Sequence, residues 1–219
     1  MADDQALIDT RDMVAVHDTF RRALGDAPAQ IAAVTDGDNE RARQLADYMG
    51  EVLWLLHVHH EAEDQLLYPL LEQRAPEHNA LFSRMEAQHA SVSTSLGAAS
   101  QAVEQFGKSG SRPDGQAAAD ACRALLAATA EHLTEEEESV LPIAAGVISL
   151  PEWAALPAHG MQQYKGNRMW LPFGLAIEEM PNEMRDNLLA HLPPPVLAMW
   201  TGGGSAAFAK EMASIRGSS

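Results

Sequence analysis

Six side chains with metal-ligand chemistry fall where a helical reading of the chain expects apolar core: His17, His59, Glu63, His89, His132 and Glu136. Each of four seams, counted in steps of three and four residues, carries one His near its middle, and two of them add a Glu one turn later. Residues four apart stack on one helix face, so His59 with Glu63, and His132 with Glu136, can each grip a common centre. Taken singly, a His on an apolar stripe is a core histidine bonded to backbone. Jointly, four His and two Glu at matching heights cannot all be satisfied by burial, because an unpaired buried carboxylate costs several kcal/mol. A metal cluster removes that cost, with bridging carboxylates holding two cations close together. Nitrogen and oxygen ligands without sulfur suit iron or manganese, and zinc also fits.

The choice of His59 and Glu63 rests on a repeat. His57/Glu61 and His60/Asp64 have the same spacing, but only His59/Glu63 keeps the distance to Pro69 that His132 keeps to Pro142. One interval carries His59 to His132, Glu63 to Glu136 and Pro69 to Pro142, and an interval shorter by a single position carries His17 to His89, which makes an internal repeat of a helix pair. His57 and His60 remain flanking candidates, and Tyr68 a further one. Glu61, Glu135, Glu137 and Glu138 read as a solvated helix face. His78 lies three turns from His89 and is left out of the cluster.

Four amphipathic helices must position these groups. The first spans about 7–24 with a Met13, His17, Phe20, Leu24 seam, and residues 25–28 bend or end it at Pro28. The second, capped by Asp38 or Asn39, runs to about residue 73 on the seam Val52, Leu56, His59, Glu63, Leu66, Leu70. The third starts near Pro76 and carries Phe82, Met85, His89, Val92, Leu96. Residues 107–113 read as a linker, and the fourth helix covers about 114–145 on Leu125, Thr129, His132, Glu136, Ser139, Ile143. The expected fold is all-α: an antiparallel up-down-up-down four-helix bundle over 1–148, with an extension of short helices over 149–219. That extension holds seven of the 12 prolines and three of the four tryptophans, so short helices are expected at about 182–191, 194–200 and 206–215, and the tryptophans should dock it on the bundle. His159, Tyr164 and His191 within it read as surface or packing residues.

Net charge is −16, of which residues 1–150 carry −15 (25 acidic against 10 basic), so nucleic acid is not an expected partner. No apolar run suits a membrane span, no secretory leader is visible, and Cys122 is the single cysteine. These features set a cytoplasmic expectation, exclude an internal disulfide and exclude a thiolate site.

On the paired His-x-x-x-Glu segments, each closed by an apolar-aromatic or apolar-Pro stretch, and the single His on helices one and three, residues 10–145 resemble the haemerythrin-like HHE cation-binding domains. The resemblance implies a non-haem centre of two iron ions, oxo- or carboxylate-bridged, with His17, His59, Glu63, His89, His132 and Glu136 as ligands. It also implies a small partner: dioxygen, hydrogen peroxide or nitric oxide. Oxygen-carrying members add a second His on helix three, but here the flanking positions are Met85 and Ser93. The more symmetric set points away from reversible oxygen carriage, toward a di-iron oxidoreductase with catalase-like or nitric-oxide-consuming activity, or a sensor or store of dioxygen, nitric oxide or iron. Delivery of iron to damaged iron centres is a third function the family suggests. The rival ferritin-like pattern needs Glu-x-x-His twice, and only Glu86 with His89 supplies it.

Overall fold

A computed structural model describes residues 8–217, and no strand occurs among them; the expected first-helix start at Leu7 lies outside them. Helix α1 (Arg11–Ala32) is followed by α2 (Asn39–Ala62), whose N-cap Asp38 accepts a bond from the Arg41 amide. A π-helical turn, Glu63–Leu67, leads into α3 (Tyr68–Arg74), and a 3-10 turn, Pro76–His78, opens α4 (Asn79–Ser109). Helix α5 (Arg112–Glu135) passes through a second π-turn, Glu136–Val140, into α6 (Leu141–Val147). The expected linker at 107–113 shrinks to Gly110 and Ser111. Gly110 ends α4 at φ +58°, and a Cβ there would stand 3.1 Å from Asn39 Cα and 3.2 Å from its N, so the turn favours glycine.

Helix α1 also runs through Pro28 rather than ending there. Ala27 and Ile31 are buried on either side of it, and that packing carries the helix past the missing hydrogen bond. Around the bundle, α1 lies against α5, α5 against α4 and α4 against α2, while α1 and α2 meet only thinly. Two apolar clusters form the interior. One holds Phe20, Leu24, Leu56, Val92 and Leu125, the other Met13, Leu67, Leu71, Phe82, Met85 and Val140. On every bundle helix the central His lies between these clusters, so the polar site is sealed at both ends by packed hydrocarbon.

The extension contributes α7 (Leu150–Gln163), α8 (Trp170–Glu178), α9 (Asn182–Ala190), α10 (Pro194–Met199), a π-turn Trp200–Gly204 and α11 (Ser205–Arg216). The last three helices match the expected short ones. Helices α7 and α8 were hidden by their prolines: Pro151 sits in the first turn of α7, where the missing N–H costs nothing, and Pro157 inside it. Helix α8 fills the thin seam between α1 and α2. Leu171 and Leu175 are fully buried in the main core, and Thr19 Oγ1 donates to the Leu175 carbonyl at 2.8 Å. Arg22 of α1 pairs with Glu178 and Glu179, and Arg216 of α11 makes two 2.7 Å bonds to Glu178. Trp153 is buried, with Nε1 donating to the Asp12 carboxylate at 3.1 and 3.2 Å, and Trp170 packs on the core. Trp200 instead packs on Phe173 and Phe208 within the extension itself. No helix of the described residues is long and apolar enough to cross a membrane.

Candidate metal centre

The two π-turns place the carboxylates. The amide of Tyr68 bonds to the Glu63 carbonyl and that of Leu141 to the Glu136 carbonyl, each reaching back five residues instead of four. Each turn therefore adds one residue to the helix immediately after its ligand Glu. Downstream, the buried face shifts by one position. Leu67 and Leu71 are buried where the regular count expects Leu66 and Leu70, and Val140 and Ala144 where it expects Ser139 and Ile143. The seam is thus correct as far as Glu63 and Glu136 and one residue out beyond them, because a 3.6-residue period cannot anticipate an inserted residue.

All six expected residues come together, and His60 joins them. His17 Nε2 lies 3.1 Å from His59 Nε2, and His89 Nε2 lies 3.1 Å from His132 Nε2. Glu63 spans the two pairs, with Oε1 3.1 Å from His59 and Oε2 3.6 Å from His89. Glu136 Oε2 spans them from the other side, 3.5 Å from His17 and 3.6 Å from His132. His60 stacks on His89 at 4.4 Å between centroids and meets His132 edge-on at 5.0 Å. Two overlapping groups result: His17, His59, Glu63 and Glu136, and His60, Glu63, His89 and His132, with Glu63 in both.

These residues fit metal ions on three grounds. Both oxygens of Glu63, Oε2 of Glu136 and Nε2 of His60 are buried with no hydrogen-bond partner among the described residues, a cost that a cation would remove. The donor separations suit ligands about 2.1 Å from a shared ion, whose tetrahedral or octahedral edges measure about 3.0–3.4 Å. Protonation states agree as well. Burial, followed by the neighbouring imidazoles, drives His59 and His60 well below the ordinary His range and His132 down to about 3, so all three present neutral nitrogens. Burial and the Glu136 charge push Glu63 well above the ordinary carboxyl range when no cation faces it.

Outside this set, the Nδ1 atoms of His17, His89 and His132 are held by a graded series of acceptors. His17 Nδ1 lies 2.7 Å from Glu137 Oε1, which also accepts from Arg21 Nη1 at 2.7 Å. His89 Nδ1 lies 2.6 Å from Asp64 Oδ1, and His132 Nδ1 lies 3.3 Å from the amide oxygen of Gln88. Burial pushes the Glu137 carboxyl up, but its bonds to His17 and Arg21 outweigh that and leave it lowered. The Tyr68 hydroxyl donates to Glu136 Oε1 at 3.1 Å, and burial raises its pKa well above the phenol range.

Two expectations change here. Glu137 is not on a solvated face but braces a candidate ligand; the signal was present, since Asp64 and Glu137 follow the paired Glu residues at the same offset within the repeat. The set is also not symmetric: His60, one of the flanking candidates, supplies a fifth imidazole, and its repeat counterpart is the apolar Leu133. Of the other acids, Glu138 is exposed, Glu135 accepts from Arg84 and Gln88, and Glu61 lies 3.7 Å from His159. His57 and His78 are exposed. Tyr164 donates to Glu51, and His191 Nδ1 donates to the Asn187 carbonyl; neither these nor His159 joins the two groups.

A family model described as the Hemerythrin HHE cation binding domain matches residues 9–144. The chain belongs to this haemerythrin HHE family. Membership makes it a cation-binding protein of a family whose ion is typically iron, and the match ends within α6. Comparison with curated proteins and with solved structures returned no match.

Proposed function

We propose that this HHE protein holds two iron ions and reacts with a small oxidant, namely hydrogen peroxide, nitric oxide or dioxygen. The observation that carries the proposal is Glu63, a fully buried carboxylate whose two unpartnered oxygens face His59 on one side and His89 on the other. His17 and His59 would hold one ion, and His60, His89 and His132 the other, with Glu63 and Glu136 shared. Two carboxylate-linked irons supply, when bound, the paired one-electron changes that O–O or N–O chemistry requires.

The chain's own contribution is to shape and dry the site. Three imidazoles against two leave the His17/His59 side with fewer protein ligands, which favours an exogenous molecule there. The two apolar clusters above and below keep bulk water out. Tyr68 keeps its proton at the phenol oxygen and donates a hydrogen bond to Glu136 Oε1, fixing that carboxylate's orientation. Glu137 and Asp64 fix the rings of His17 and His89 with Nε2 turned inward. The test is pure, iron-loaded protein. Oxygen evolution from peroxide or consumption of nitric oxide is the expected result, and loss of both with two irons bound would sink the reactive reading.

One observation favours a second reading, a sensor. Thr19, two residues from His17, bonds to Leu175 of the extension, so a shift at the site has a direct route to α8. A sensor should alter the protection of α8 from proteolysis when ligand binds, whereas a purely reactive centre should not.

A further inference from the structure

The two His-carboxylate braces have nearly the same length but not the same charge. On one side, Glu137 is neutralised by Arg21, which itself also bonds Asp18 at 3.0 Å, and Glu137's side chain is 21% exposed. On the other, Asp64 is 48% exposed, and no Lys or Arg pairs with it among the described residues. The repeat explains why: the interval that carries His17 to His89 carries Arg21 to Ser93, which has no charge to offer. A carboxylate bonded to the outer nitrogen of a ligating imidazole makes that ring more electron-donating, and a cation on the carboxylate withdraws part of the effect. The fifth imidazole, His60, falls on the same side as Asp64.

Resting on the two-iron reading, we propose that Arg21 and Asp64 are positioning residues that polarise the centre. Arg21, acting through Glu137 and His17, raises the reduction potential of the ion on the His17/His59 side. Asp64, acting through His89, lowers that of the ion on the His60/His89/His132 side. The first electron added to the fully ferric protein therefore goes to the His17 side, converting one ferric ion to ferrous, and the second goes to the His89 side at a lower potential.

The experiment is a mediated redox titration of the full-length, iron-loaded chain, followed by electron paramagnetic resonance of the one-electron state, after the iron count has been measured. Two separate one-electron steps are expected in the parent. Arg21→Gln should lower the first step and Asp64→Asn should raise the second, each by at least about 59 mV, which corresponds to a tenfold change in a one-electron equilibrium. Both variants thus narrow the gap, from opposite ends. Arg21→Lys and Asp64→Glu should restore most of it, which a merely structural loss would not. Two irons per chain with a gap unmoved in both variants, or with both steps shifted in the same direction, would overturn the polarisation alone. Fewer than two irons in the parent would overturn the two-iron reading and this inference with it.

Discussion

The first helix pair, α1 with α2, and the second, α4 with α5, place their imidazoles and carboxylates in matching register, yet a few positions separate them. Where the first pair has Arg21, His60 and Tyr68, the second has Ser93, Leu133 and Leu141. The extension falls unequally too, since α7 and α8 pack chiefly on the first pair and α8 fills the seam within it. Positions that obey the repeat thus build two like half-sites. Positions that depart from it make the halves unequal: His60 adds a ring to one side, Tyr68 bonds Glu136 while no described residue hydrogen-bonds Glu63, and α8 braces one pair while the other stands by its own packing.

Removing what the halves share should have the largest effect. Glu63→Gln is expected to take the iron content from two per chain to near zero, read by metal analysis after gel filtration. Without metal the same change should be favourable. Because burial raises the Glu63 pKa, the metal-free fold loses stability as pH climbs from the ordinary carboxyl range through that raised value, and glutamine abolishes this loss. Metal-free Glu63→Gln should therefore melt higher than the metal-free parent at neutral pH and match it more closely in acid.

Equalising the halves comes next. His60→Leu gives α2 the residue that the repeat carries at Leu133, and iron should fall from two per chain toward one, with the optical spectrum changing accordingly. Full retention of two irons with an unchanged spectrum would remove His60 from the ligand set. Glu136→Gln should be milder than Glu63→Gln, because the Tyr68 hydroxyl still has an oxygen to meet.

Weakening the brace on the first pair should act on stability before chemistry. Leu175→Ala empties a fully buried position and should cost about 2–5 kcal/mol by thermal or urea unfolding, whereas Leu188→Ala, on the half-buried face of α9, should stay within about 1 kcal/mol. The smallest effect is expected at Cys122 on α5, whose thiol burial pushes up to about 11. It should resist alkylation near neutral pH in the folded protein, and in Leu175→Ala as well if the damage stays on the far pair.

Much of this was readable from residue order. The four seams, the Asp38 cap and the pairing of His59 with Glu63 follow from helical periods and a repeat, because each is a local pattern. His60 was legible only as a flanking candidate alongside His57, since its i, i+4 partner Asp64 points to His89 instead and its repeat counterpart is apolar. Glu137 stands among four consecutive acids, where charge alone suggested solvent. Leu66 and Leu70 were misplaced because a π-turn changes the register without changing composition. Helices α7 and α8 were missed because Pro151, Pro157 and Pro172 resemble breaks, while their actual tolerance depends on first-turn placement and on the core they pack against.

The π-turns also keep the two halves in step. They begin at Glu63 and Glu136 and end at Leu67 and Val140, keeping the interval that relates the ligands and prolines beside them. A π-turn is in effect one extra residue accommodated within an α-helix, and such an irregularity is costly to acquire without a use. Its presence at matching places keeps the two carboxylates at one depth in the bundle, so the register change downstream falls equally on both halves and leaves the ligands level with one another.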